Sequence, residues 1–136
     1  MPQKHFILAH DLGTTGNKAT LFDPDGTVVA STFAGYKTDY PQPNWAEQNP
    51  NDWQKAVFES TQHLLTASNA PAEQIAVVSF SGHMQGALVV GENGTPLRSA
   101  IIWADQRATA QAEFIRQTCD GAKVYRLTGN RVSAAY

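Results

Sequence analysis

The chain is predicted to be an α/β fold with a mixed sheet: an antiparallel three-strand meander, then a helix, then a strand parallel to an earlier one. Three observations predict it. Short apolar runs alternate with turn residues over 6–35, a capped helical period opens at Asn49, and the apolar run Ile75–Phe80 follows that helix directly. At 136 residues the length suits one ordinary domain with a single core.

The meander comes first. Its apolar runs are Phe6-Ile7-Leu8-Ala9, Ala19-Thr20-Leu21-Phe22 and Val28-Val29-Ala30. Asp11-Leu12-Gly13-Thr14-Thr15-Gly16 separates the first two, and Asp23-Pro24-Asp25-Gly26 the next two. Pro24 suits the second position of a tight turn, and Gly26 a later one with positive φ. Tyr36 to Asn49 carries Pro41 and Pro43 without periodicity and reads as an extended surface loop, with Trp45 anchoring it to the core. Asn49 then serves as N-cap, Pro50 fits the first helical position and Asp52 complements the dipole. Trp53, Val57, Leu64 and Leu65 recur on one face to about Ser68, and Asn69 to Glu73, with Pro71, breaks the helix. Ile75-Ala76-Val77-Val78-Ser79-Phe80 reads as a buried strand, parallel because a helix intervenes.

A second hairpin is expected from Ala87-Leu88-Val89-Val90 and Ala100-Ile101-Ile102-Trp103 around Gly91–Pro96. A second helix follows, capped by Asp105, with Ala108, Ala112 and Ile115 on one face, ending at Asp120-Gly121. Beyond it only Val124–Leu127 and a polar stretch from Thr128 to Ser133 remain, with no closing element expected.

Composition excludes several function classes. Ten Lys and Arg stand against twelve Asp and Glu, a net charge of -2 without a basic stripe, which argues against nucleic-acid binding by a charged surface. With 42% hydrophobic and 16% charged residues the chain is expected to fold rather than stay disordered. Phe6–Ala9 is too short for a secretory core or a membrane span, and the single cysteine offers no internal disulfide, so a cytoplasmic protein is expected. Cys119, near a helix end, reads as a plain buried or half-buried thiol rather than a nucleophile.

Three segments carry chemistry. The turn from Asp11 to Lys18 has the parts an anion site needs: Gly13 and Gly16 for close backbone approach, the Thr14 and Thr15 hydroxyls as donors, and the charge of Lys18. Asp11 can hold a hydrated Mg²⁺, which proteins usually bind through one or two carboxylates plus water. The segment is not a Walker A loop, because Asn17 precedes the lysine and Ala19 follows it, and no Rossmann glycine pattern is present. By spacing alone it is equally a plain Gly/Thr hairpin. Ser81-Gly82-His83-Met84-Gln85-Gly86 lies just beyond a strand's carboxyl end, where open α/β sheets bind ligands. His83 has no His or Cys partner at ligand spacing and reads first as a hydrogen-bonded structural residue. Trp103-Ala104-Asp105-Gln106-Arg107 can line a polyol pocket, the indole against C–H groups and the charges on hydroxyls; the plainer reading is a core Trp, a cap and a surface Arg.

Taken in order, these motifs resemble the N-terminal portion of the FGGY carbohydrate kinases, most closely the xylulokinase branch. The residues carrying the resemblance are 11–18, Trp45-Ala46-Glu47-Gln48-Asn49-Pro50 with Trp53, the Ser-Gly-x-Met-x-Gly loop at 81–86, Ile101–Arg107, and Leu127-Thr128-Gly129-Asn130. The resemblance implies a ribonuclease-H-like, actin-like ATPase fold, here incomplete: 1–136 would be the N-terminal part of the first kinase domain, with ATP and a sugar or polyol as ligands. It implies Asp11 near Mg²⁺ and the transferred phosphoryl, with Gly13, Thr14, Thr15 and Lys18 around the phosphates of ATP. It also implies Met84, Gln85, Trp103 and Asp105 facing the sugar. No residue of this segment matches the family's catalytic Asp base, so the segment alone is expected to be inactive. Xylulokinases typically read Ser-Gly-Gln-Met-His-Gly, whereas here His83 and Gln85 exchange places, which leaves other ketopentoses, pentitols and deoxy-sugars open as acceptors. A non-catalytic actin-like nucleotide-binding or regulatory module is the alternative, and homodimerisation stays open. Neither nucleic acid nor membrane is expected as a partner.

Overall fold

A computed structural model describes residues 5–135. Among these residues six strands and three α-helices are formed, with a short 3-10 helix, Ala72–Gln74, between α1 and β5: β1 (Phe6–Leu12), β2 (Gly16–Phe22), β3 (Val28–Gly35), β4 (Glu47–Gln48), α1 (Pro50–Ser68), β5 (Ile75–Gly82), β6 (Ala100–Ile101), α2 (Thr109–Thr118) and α3 (Gly121–Thr128). The length predicts one core, but the chain gathers into two compact units, Met1–Thr38 with Asn49–His83, and Asp39–Gln48 with Met84–Tyr136.

The first unit is the predicted mixed sheet, in the order β3-β2-β1-β5. β1 pairs antiparallel with β2 and β2 with β3, while β5 runs parallel to β1. Gly26 takes φ +83° in the second turn, as its position requires. The Asp23 carboxylate accepts the Asp25 and Thr27 amides, which holds that turn closed. Gly16 answers a different demand: a Cβ there would lie 2.3 Å from the Phe33 ring and 2.5 Å from the Ala34 carbonyl, so no side chain fits where β2 passes β3.

Helix α1 starts and ends where the cap signals put it. Asn49 accepts the Asn51 amide, Pro50 opens the helix, and Asn69 closes it in the left-handed region at φ 51°. The helix lies against β2 and β3. Ala56, Ser60 and Leu64 form its buried line, while Trp53, Val57 and Leu65 are half-buried at its flanks. Leu64 meets Leu8, Ala19 and Leu21 in the core. Burying each leucine stabilises the unit by roughly 1.5–3 kcal/mol.

β5 corrects one expectation. It is parallel, as predicted, but not buried: Val77, Val78 and Phe80 stand 50%, 51% and 60% exposed. β5 is an edge strand bonded only to β1, and α1 packs over the other side of the sheet, on β2 and β3. An apolar run of this kind reports fitness for burial and does not report whether a neighbour is present.

The second unit departs further from expectation. The expected loop over Tyr36–Asn49 contains β4, which pairs antiparallel with β6, and Trp45 is half-buried as its anchoring role requires. The expected hairpin is reduced to isolated bridges, Ala87 to Ile101 and Val90 to Pro96, around a turn with Gly94 at φ +77°. Asp105 does not cap α2: the cap position is Ala108, with no side-chain bond, because the Asp105 carboxylate is engaged elsewhere. The segment after the second helix, where no closing element is expected, forms α3, capped by Asp120, which accepts the Ala122 and Lys123 amides, and closed by Gly129 at φ +73°. Cys119 is exposed rather than buried or half-buried, since α2 turns only Ala112 fully inward. Among the described residues no helix is long and apolar enough to cross a membrane.

Candidate functional site

In the first unit, the Asp11–Lys18 segment is a hairpin joining β1 to β2. The Gly13 amide donates to the Gly16 carbonyl at 3.0 Å, so it closes the hairpin and is committed there. Thr14 and Thr15 form the tip. The Thr15 carbonyl accepts the Tyr36 amide at 3.1 Å, and the Tyr36 hydroxyl donates to the Gly13 carbonyl. Burial first, and then the nearby Asp11 charge, push the Tyr36 pKa up to about 12, so the phenol keeps the proton that it donates. A Cβ on Gly13 would meet nothing nearer than the Gly16 carbonyl at 3.7 Å, so the protein itself makes no steric demand for glycine at that position.

Alternation along the strands decides which side chains meet. His10 faces α1: its Nδ1 lies 3.0 Å from Asn17 Nδ2, and Asn17 in turn reaches Ser60 Oγ at 2.7 Å. Burial pushes the His10 pKa down against the opposing bond from Asn17, so the ring is neutral and serves as an acceptor. Asp11 and Lys18, one residue along each strand, therefore stand on the opposite, open face. They are direct cross-strand partners, both exposed, with no ion pair between them within 4.0 Å. Both line a cavity of about 450 Å³; Gly13, Thr14 and Thr15 lie outside it, on the adjoining turn.

His83 ties down the loop after β5. Its amide donates to the Leu12 carbonyl at 2.9 Å, its Nδ1 lies 3.1 Å from the same oxygen, and the Trp53 ring meets it edge-on at 5.3 Å. This is the structural role expected of a lone histidine.

In the second unit, a cavity of about 650 Å³ is lined by Gln85 and Asp105 together with Arg107, Gln111, Asn130 and Arg131. Ala108, Ala112 and Ile115, the predicted apolar face of α2, form part of its wall. Two of the four sugar-facing candidates, Gln85 and Asp105, thus share one cavity. Met84, 76% exposed, and Trp103, 45% exposed, are not on its lining. Gln85 holds a left-handed backbone at φ 64°, a conformation costing a non-glycine residue of order 1 kcal/mol and found most often where structure serves binding.

A network that the sequence does not announce stands behind this cavity. The Arg107 guanidinium bonds Asp105 at 2.7–2.9 Å, reaches Glu47 at 2.8 Å and lies 3.7 Å from the centre of the Trp45 ring. Asp105 also accepts the Ala46 amide at 2.7 Å and the Arg107 amide at 2.9 Å, and Arg98 pairs with Glu47. Burial alone would raise the Asp105 carboxyl; the bonds from Arg107 and the backbone amides outweigh it and hold the pKa below the ordinary value. Arg107 is held above its own, first by the bond to Asp105. Glu47 lies inside one of the recurring motifs, yet its role emerges only once β4 brings it beside Arg107.

The sequence profile described as FGGY family of carbohydrate kinases, N-terminal domain, matches residues 6–136. A gluconokinase from Bacillus licheniformis is 36% identical over 127 residues, which are 93% of this chain and 24% of that protein. The crystal structure of a xyloylose kinase from Brucella ovis superimposes with a TM-score of 0.89 at 30% identity, over 97% of this chain and 27% of the other. That of Plasmodium falciparum glycerol kinase with ADP gives 0.84 at 16% identity, over 98% and 27%, a likeness of fold alone. The chain spans about a quarter of the length of these relatives. The meander, α1 and parallel β5 are the actin-like arrangement that this resemblance implied, and the match runs from the first residue of β1 to residue 136, so the chain belongs to the FGGY family of carbohydrate kinases, in its N-terminal region.

Proposed function

We propose that this chain is the N-terminal part of a longer ATP-dependent kinase that phosphorylates a hydroxyl of a sugar or polyol, the first unit handling phosphate and the second the acceptor. The observation that carries the reading is the Asp11–Lys18 pair on the open face of the sheet, beside the Gly13–Gly16 hairpin. Phosphoryl transfer is mostly positioning and electrostatics, and an exposed carboxylate next to an unpaired lysine is suited to a nucleotide phosphate with its cation. The donor set fits Mg²⁺: Asp11 is a hard oxygen ligand without a competing ion pair, and the described residues hold no cluster of three His, Cys, Asp or Glu that would make a full protein cage. Asp11 would hold the hydrated ion, which when bound neutralises charge on the phosphates. Lys18 would draw the phosphate oxygens toward the open face, with Thr14 and Thr15 as donors from the tip. The base that takes the acceptor's proton would come from outside this chain.

Gln85 and Asp105 in the second unit's cavity support an acceptor site, which a regulatory nucleotide-binding module does not need. Asp105 acts there mainly by holding Arg107 in place, while Gln85, with its amide free to give and accept, would read hydroxyls. The relatives act on different acceptors by name, so the reading stays at sugar or polyol; the Gln85 amide where xylulokinases typically carry an imidazole leaves other ketopentoses, pentitols and deoxy-sugars open.

Two measurements test this. The isolated chain should release no ADP from ATP in the presence of any sugar in a panel; sugar-dependent ADP release would mean that this segment carries its own base and adenine site. In the longer kinase, Gln85→Ala should raise the KM for the acceptor about tenfold while changing that for ATP less than twofold. Equal effects on both would remove Gln85 from the acceptor site.

A further inference from the structure

We propose that the Ser81 hydroxyl, on β5, is a third member of the phosphate site, binding an oxygen of a diphosphate or triphosphate whose divalent cation sits on Asp11. The inference rests on the reading of Asp11 and Lys18 given above and extends it to a strand outside the hairpin motif. Register carries it. Lys18 pairs with Asp11 across the antiparallel β1–β2 ladder, and Asp11 pairs with Ser81 across the parallel β1–β5 ladder. Direct cross-strand partners share a face, with Cβ atoms about 5 Å apart. Lys18, Asp11 and Ser81 therefore form one row across three strands, on the face opposite α1.

The next row repeats the polar character, Thr20 and Ser79 flanking Ala9. All of these polar residues line the same cavity of about 450 Å³. None of Lys18, Asp11 and Ser81 makes a hydrogen bond or ion pair with another described side chain, and all three are exposed toward that cavity. The row is donor, carboxylate, donor. That order suits a cation on the central carboxylate with anionic oxygens reaching the lysine on one side and the hydroxyl on the other. Because the strands fix the three positions, the arrangement needs no loop closure to form.

Binding of pyrophosphate with Mn²⁺ to the 136-residue chain tests this without any turnover, read by water-proton relaxation for the metal and calorimetry for the anion. Ser81→Ala should weaken the Mn²⁺–pyrophosphate complex about tenfold, with binding of Mn²⁺ alone and the melting curve unchanged; Ser81→Thr should restore most of the loss. If Ser81→Ala binds pyrophosphate as the native chain does while Asp11→Asn does not, Ser81 is only a strand residue and the Asp11 reading stands. If Ser81→Ala weakens Mn²⁺ alone to the same degree, its role is not toward the anion and the proposal fails. Should the native chain bind no Mn²⁺–pyrophosphate, both the proposal and the phosphate-site reading fall.

Discussion

Replacing Asp11 with alanine in the longer kinase is expected to lower turnover by about three orders of magnitude or more while leaving acceptor affinity within about twofold. The asymmetry follows from where the residue stands. Asp11 is exposed on the open face of β1, makes no ion pair with Lys18 and supports no buried group, so its removal deprives folding of almost nothing. What it removes is a carboxylate beside the hairpin suited to a hydrated cation. Its neighbour His10 is the opposite case: buried, bonded to Asn17 and stacked on Phe80 at 4.9 Å, it carries structure on the other face of the same strand. Unfolding of Asp11→Ala, seen as loss of a cooperative melt, would make Asp11 structural. Acceptor affinity lost in parallel with turnover would instead put it in the sugar site. Asp11→Asn separates charge from shape: it should fail almost as completely, since an amide fills the space but holds a divalent cation poorly.

The parts legible in the sequence were those fixed by local chemistry. Pro24 and Gly26 announced the second turn, Asn49, Pro50 and Asn69 bracketed α1, and the helix before Ile75 made β5 parallel; each signal acts within a few residues of its effect. The illegible parts depend on distant partners. β4 is two residues long and exists because Glu47 and Gln48 meet Ile101 and Ala100, more than fifty positions away. Asp120-Gly121 signals the end of α2 in the sequence, yet a short polar side chain before Gly suits the start of a helix equally, and Asp120 caps α3. The exposure of Val77, Val78 and Phe80 belongs to the same class, because hydrophobicity records which surface is suited to burial without recording what lies against it. Among the site candidates, Gln85 and Asp105 line one cavity, but the left-handed backbone of Gln85 has no sequence marker, since the usual residue for that region is glycine.

The largest stability effect in the second unit is expected at Arg107. Its guanidinium is the shared partner of Glu47 and Asp105, whose side chains are only 11% and 3% exposed, and its central carbon lies over the Trp45 ring, 3.7 Å from the ring centre. Arg107→Met keeps much of the volume but leaves the buried Asp105 carboxylate without a cation and Glu47 with Arg98 alone, which should cost about 3 kcal/mol, the lower end of the range for breaking a buried pair because Arg98 stays and Arg107 itself keeps 17% exposure. Arg107→Lys should recover less than half of that, since an ammonium cannot reproduce the fork that reaches both carboxylates or the stacked plane. The pH dependence gives the cause away. In the native chain the Asp105 pKa is held below the ordinary carboxylate value, so its contribution to stability is fully present above that ordinary value and is lost as pH falls through the lower folded one. Without the guanidinium, burial pushes the carboxyl upward against only the Ala46 and residue-107 amides, so the folded variant takes up protons more readily than the folded native chain. The penalty of Arg107→Met, measured as a difference in melting temperature, should therefore shrink as pH falls from 7 toward 4, whereas lost packing against Trp45 alone would give a penalty independent of pH. A flat profile would assign the stabilisation to the stacked plane. A shrinking one, together with a raised acceptor KM in the longer kinase, would make the Glu47–Arg107–Asp105 network the frame on which the cavity wall is held.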